Sequence, residues 1–137
     1  MPRLKCKHVT FTCLNCGKEH TSSNKHTCNA KFCSNLCQQD FTMKRKVEEG
    51  TASAKTLKRF LLKTHGEKCW QCQITEWNNQ PIVFELEHND GNSENNELDN
   101  LSILCPNCHS QTPTFKNRNM GNGRHTRRQR YAEGKSF

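Results

Sequence analysis

Apolar residues come along this chain in short, separated pieces, and their spacing changes character from one stretch to the next. Between residues 11 and 40 only isolated hydrophobics such as Phe11 and Phe32 interrupt a polar background, too few to predict an amphipathic element. From 41 to 66 the spacing becomes helical. Phe41, Met43 and Val47 lead to a break at Gly50-Thr51, and Leu57, Phe60, Leu61 and Leu62 then resume among Lys55, Lys58, Arg59 and Lys63, which predicts a basic helical connector. The run Pro81-Ile82-Val83-Phe84-Glu85-Leu86 reads as a strand, Asn89 to Asn100 as a loop rich in Asn, Asp and Gly, and Leu101 to Leu104 as a second strand. Pro106 then suits the first turn of a short helix that Pro113 interrupts or ends. Residues 118–137 are basic, Gly-rich and nearly without apolar side chains, the pattern of a flexible arm.

Pieces this short cannot build a large core. The 137 residues are 31% hydrophobic and 25% charged, and the mean hydropathy is -1.00, so burial alone does not offset chain entropy and a covalent or metal staple is expected. Ten cysteines are available for it. The opening MPRLKCKHVT lacks a signal peptide's apolar stretch, and no run approaches the roughly 20 apolar residues of a membrane span. The expectation is a cytoplasmic protein with no membrane partner, in which thiols stay reduced and cysteines bind metal rather than form disulfides.

Spacing supports that expectation. Cys69-x2-Cys72 and Cys105-x2-Cys108 form two knuckles that suit one tetrahedral zinc ion with no open coordination position, a structural site. Cys13-x2-Cys16 with Cys33-x3-Cys37 repeats the logic and predicts a second structural zinc, although Cys28, His20 or His26 can replace a ligand there. Cys6 and Cys28 are left as ordinary thiols. The fold class expected is a small zinc-stapled α+β protein.

Charge divides the chain differently. The net charge of +8 is the sum of two basic flanks and an acidic island, residues 69–115, that contains no Lys or Arg and seven Asp or Glu. An anionic polymer is repelled by such an island unless cations sit in it, while both flanks attract its phosphates.

Within the island, Glu87 and His88 close the first strand just where the chain turns polar, and His109 follows Cys108 on the short helix, about 100° round from it and so directed away from the zinc. Glu87 and His109 can share a divalent cation while His88 stays free as a base, a hydrolytic arrangement. In a regular strand Glu87 and His88 point to opposite faces, so the strand is expected to end or twist there.

The segments Leu86-Glu87-His88-Asn89-Asp90-Gly91-Asn92, Asn95-Asn96-Glu97-Leu98-Asp99-Asn100-Leu101 and Leu104-Cys105-Pro106-Asn107-Cys108-His109-Ser110-Gln111-Thr112 resemble the HNH endonucleases, in particular the zinc-bearing phage-type ones, over roughly residues 55–120. The resemblance implies a ββα-metal (His-Me finger) core in which His88 is the general base, Asn100 orients it, and His109 helps bind a catalytic Mg2+, Mn2+ or other divalent ion. Glu87, where the family usually has Asp or His, is then the second ligand.

The organisation expected is an N-terminal zinc-binding module at 1–40, the connector at 41–66, the nuclease domain at 67–117 and the arm at 118–137. The function expected is metal-dependent hydrolysis of DNA phosphodiesters, with no small-molecule substrate, in the host cytoplasm if the chain is phage-encoded. Lys55, Lys58, Arg59, Lys63, Lys116, Arg118, Arg124, Arg127, Arg128 and Arg130 are the expected phosphate contacts. The alternatives are a zinc-stapled nucleic-acid-binding module without catalysis, which leaves Glu87, His88 and His109 a coincidence, and a zinc-dependent protein-interaction module.

Overall fold

The computed structural model describes residues 9–22, 30–120 and 125–134, the side chains of 125–128 excepted. Cys6, His26, Cys28 and Arg124 lie outside the described residues. The chain forms a small α+β structure divided into two compact units, Met1–Glu49 and Gly50–Phe137. No helix among the described residues is long and apolar enough to cross a membrane.

The first unit pairs β1 (Val9–Thr12) with β2 (Glu19–Ser22) as an antiparallel hairpin and continues into α1 (Asn35–Glu48). Gly17, at φ +69, makes the turn between the strands. Ser34 caps α1 by accepting from the Cys37 amide at 3.2 Å, and Phe32 and Phe41 stack obliquely with ring centroids 5.2 Å apart. The helix starts earlier than its apolar spacing predicts because that cap, rather than the first hydrophobic residue, sets its beginning.

The second unit opens with α2 (Ala54–His65), capped by Ser53 and ended by Gly66 at φ +86. The break expected at Gly50-Thr51 falls between the two helices, and Gly50 is itself left-handed at φ +68. Leu57 and Leu61, one turn apart, are the buried stripe of α2. A two-residue hairpin follows, β3 (Glu76–Trp77) and β4 (Gln80–Pro81), turned by Asn78 and Asn79 with positive φ at both, the geometry a tight hairpin favours.

The centre of the unit is β5 (Glu85–His88) paired antiparallel with β6 (Leu101–Leu104), followed at once by α3 (Pro106–Ser110). Both α2 and α3 pack against this hairpin. Leu101 and Ile103 are 2% and 0% exposed, and burying each side chain contributes about 1.5–3 kcal/mol. The strand expected from Pro81 is broken: Pro81 ends β4, pairing with β6 begins only at Glu85, and Val83 between them is exposed.

Past α3 the chain makes a 3-10 turn at Lys116–Asn119, and His125–Ala132 forms α4. The segment read as a flexible arm therefore carries regular structure. Arg, Gln and Ala are good helix formers, so local propensity favours a helix where apolar periodicity gives no signal.

Candidate active site

Each unit gathers four thiols. Cys69, Cys72, Cys105 and Cys108 form one cluster and Cys13, Cys16, Cys33 and Cys37 the other, with the Sγ atoms of each group within 4.8 Å of one another. Four sulfurs about 2.3 Å from one tetrahedral zinc stand about 3.8 Å apart. Cys72 and Cys105 are 3.7 Å apart, and Cys16 and Cys33 are 3.8 Å apart, so both clusters fit a zinc ion. His20 Nε2 lies 4.0 Å from the Cys16 sulfur, beside a set that four thiols already complete.

Backbone geometry prepares these thiols for a cation. Burial acts to raise the Cys69 thiol, but amide hydrogen bonds from Cys72, Cys105 and Gln71 outweigh it and bring it down to about 6. Cys13 is brought to about 6 in the same way, burial being outweighed by the amides of Cys16, Cys33 and Asn15. Their neighbours go the other way: burial and the crowding sulfurs push Cys108 up to about 12, and the Cys37 thiol and burial push Cys33 up to about 12. Four thiols in contact cannot all ionise without a positive ion between them.

The Cys69–Cys72–Cys105–Cys108 cluster also positions the polar site. Trp70 N donates to the Ile103 carbonyl at 2.8 Å, tying the first knuckle to β6, and the Cys105 thiol caps α3 by accepting from Cys108 N. His109, next on α3, then meets β5. Its Nε2 lies 2.9 Å from Glu87 Oε2, and its Nδ1 contacts the Glu85 carboxylate. Glu85 and Glu87 are two apart in a strand, so both face α3. Glu87 is the buried charged residue among those described, 7% exposed. Its other oxygen, Oε1, accepts from the Thr114 hydroxyl. Two cis ligands about 2.1 Å from a divalent ion are about 3.0 Å apart, so the Glu87–His109 separation fits a shared cation, and Glu85 holds the far side of the imidazole as carboxylates do for metal-bound histidines.

His88 belongs to the same strand but to its other face. The ladder stays regular through the His88–Leu101 pair, so the strand does not twist at Glu87–His88 as expected but ends only after His88, which leaves the two side chains on opposite faces. The ring Nε2 of His88 lies 3.1 Å from Asn96 Oδ1. Asn100 acts one layer back: its Oδ1 accepts from Asp90 N, its Nδ2 donates to Asp90 Oδ1 and to the Asn95 carbonyl, and its own carbonyl accepts from Asn89 N at 2.8 Å. Asn100 thus anchors the backbone next to His88, and Asn96 is the amide that touches the ring.

Asp90 is the hub of this loop. Its carboxylate accepts from Asn95 Nδ2, Asn92 N and Asn100 Nδ2, which hold it below the usual carboxylate range. The loop closes onto the segment after α3, where Asn119 Nδ2 donates to the Gly91 carbonyl at 2.7 Å.

The expected phosphate-binding residues are dispersed. Lys55, Arg59 and Lys63 are exposed on α2, with Lys58 half-buried. Lys116 lies over the Phe115 ring, 4.9 Å from its centroid. Arg118 is engaged with the protein itself, its Nη1 donating to the carbonyls of Ser110 and Thr112 at the end of α3. Arg130 is exposed on α4, while Arg127 and Arg128 lie on α4 with side chains outside the description.

Sequence reasoning missed Glu85, Asn96 and Thr114. Strand alternation from Glu87 points to Glu85. Asn96 and Thr114 sit in aperiodic loops and carry no such signal.

Comparison with known proteins gives the resemblance independent support. A stretch of 60 residues, 44% of this chain, is 55% identical to the H-N-H endonuclease F-TflIV of Escherichia phage T5. The match covers 26% of that relative, so the chain spans about a quarter of its length. No family model matches the chain, and no solved structure matches it.

Proposed function

We propose that this protein is a metal-dependent DNA endonuclease that hydrolyses phosphodiester bonds, with β5, β6 and α3 as a ββα-metal core. The observation that carries the reading is the buried Glu87 carboxylate set 2.9 Å from His109 Nε2, with His88 next in the chain, in a protein similar to a phage H-N-H endonuclease. The 1–40 module and the 41–66 connector are read as accessory, the 118–137 arm as a further DNA contact, and the zinc ions as structural.

In this reading Glu87 and His109 hold a Mg2+, Mn2+ or similar ion, which when bound offsets charge growing on the phosphoryl and leaving-group oxygens. His88 takes the proton from the attacking water. Asn96 fixes the ring, and Asn100 fixes the backbone that carries it. Glu85 fixes the imidazole of His109, and so directs Nε2 to the side on which Glu87 lies, where the two would share the ion. General-base catalysis is worth about 10²- to 10⁴-fold. Plasmid DNA incubated with the protein and divalent ion is therefore expected to be cut, and His88→Ala to lose about that factor while still binding DNA. Binding without cutting by the wild type at any divalent ion tested would leave a non-catalytic zinc-stapled binding module instead.

A further inference from the structure

The segment after α3 contains no residue that the proposed chemistry uses, yet it closes the candidate site from one side. Thr112 Oγ1 donates to the His109 carbonyl at 2.9 Å, Arg118 holds the Ser110 and Thr112 carbonyls, and Asn119 clasps Gly91 in the loop after β5. Thr114 lies at the middle of this bracket, and its hydroxyl meets Glu87 Oε1.

We infer that Thr114 is a positioning residue for the Glu87 carboxylate, engaging Oε1 itself and leaving Oε2 for the divalent cation that Glu87 would share with His109. The inference rests on the proposed role of Glu87. Proton counting supports it: a hydroxyl carries one proton, and that of Thr112 is committed to the His109 carbonyl. Thr114 is 3.3 Å from Thr112 Oγ1 as well, but its single proton goes to the charged acceptor, which forms the stronger hydrogen bond. Glu87 is buried and acceptor-only when ionised, so without this donor Oε1 has no hydrogen-bond partner among the described residues and the carboxylate is held on the Oε2 side alone. Gly91 leaves room for Thr114 in this place, because a Cβ there would stand 2.9 Å from Thr114 Cγ2. A glutamate has one more rotatable bond than an aspartate, and Thr114 restrains it.

The test is Mn2+ binding to the zinc-loaded full chain, followed by the paramagnetic resonance of free Mn2+, together with the Mn2+ concentration giving half-maximal DNA cleavage. Loss of an outer-shell partner typically costs 10- to 100-fold in metal affinity. Thr114→Val, which keeps shape and removes the hydroxyl, is expected to weaken Mn2+ binding by about 10-fold or more and to raise the half-maximal concentration alike, with the rate at saturating Mn2+ little changed. Thr114→Ser, which keeps the hydroxyl, is expected to bind as the wild type does. Zinc content reports folding in each case. If Thr114→Val binds Mn2+ normally while Glu87→Ala does not, the inference is overturned and the role of Glu87 stands. A Ser variant as weak as the Val variant also overturns it, since packing of the methyl would then be responsible. If Glu87→Ala binds Mn2+ as the wild type does, the ligand role of Glu87 falls, and the inference with it.

Discussion

Gly91 and Asn119 interlock. Gly91 has φ +74, and a Cβ on it would stand 2.2 Å from Asn119 Oδ1, the same amide whose Nδ2 holds the Gly91 carbonyl. Gly91→Ala therefore meets both a left-handed backbone, costing about 1–2 kcal/mol, and a clash that separates the β5 loop from the segment after α3. Urea unfolding is expected to show a loss of about 2–4 kcal/mol. An unchanged midpoint would mean that the two segments are not in contact.

Zinc should be structural and twofold. Metal analysis is expected to find two tightly held zinc ions per chain, one for each group of four thiols. Cys105→Ser removes a ligand and the sulfur that caps α3, so loss of soluble folded protein is expected. A zinc content of one would remove the N-terminal site, and a well-folded Cys105→Ser protein would contradict the staple.

The depressed Asp90 carboxyl makes a prediction about pH. A group whose folded pKa lies below its unfolded value, about 3.9 for Asp, stabilises the fold above that value and loses the effect as pH falls through the folded pKa. With both proteins saturated with zinc, the stability gap between wild type and Asp90→Asn is expected to stay level from pH 8 to 5 and to close only below about pH 4. A gap that narrows near pH 6 would point to another titrating group.

Arg118 and the residues beyond it should separate cleanly. Because Arg118 donates to two carbonyls at the end of α3, Arg118→Ala is expected to lower stability by about 1 kcal/mol with little change in DNA affinity. Neutralising Arg124, Arg127, Arg128 and Arg130 is expected to do the reverse. It should weaken binding by a similar factor on every sequence and flatten the salt dependence by up to about 0.9 per lost contact. A salt slope unchanged by those four substitutions would make the arm an ordinary solvated surface.

Local signals made much of this protein legible. Cysteine spacing located both four-thiol clusters, because a knuckle brings two sulfurs together through a few consecutive backbone angles. Apolar periodicity found α1 and α2 but not their starts, which Ser34 and Ser53 set through caps. The motif brought Glu87, His88 and His109 into view, and the strand–loop–strand–helix order followed from turn chemistry. What only the tertiary structure decided is which atoms meet. Asn96 rather than Asn100 touches the His88 ring, Glu85 and Glu87 flank one imidazole, Arg118 turns back onto α3, and Thr114 reaches Glu87 from 27 residues away. Asn96 and Thr114 lie in loops without periodicity, while the contacts of Glu85 and Glu87 join β5 to α3. A hydrogen bond between such segments is set by the folded path of the backbone between them, which the cysteine knuckles and the β5–β6 ladder establish together and no local pattern records.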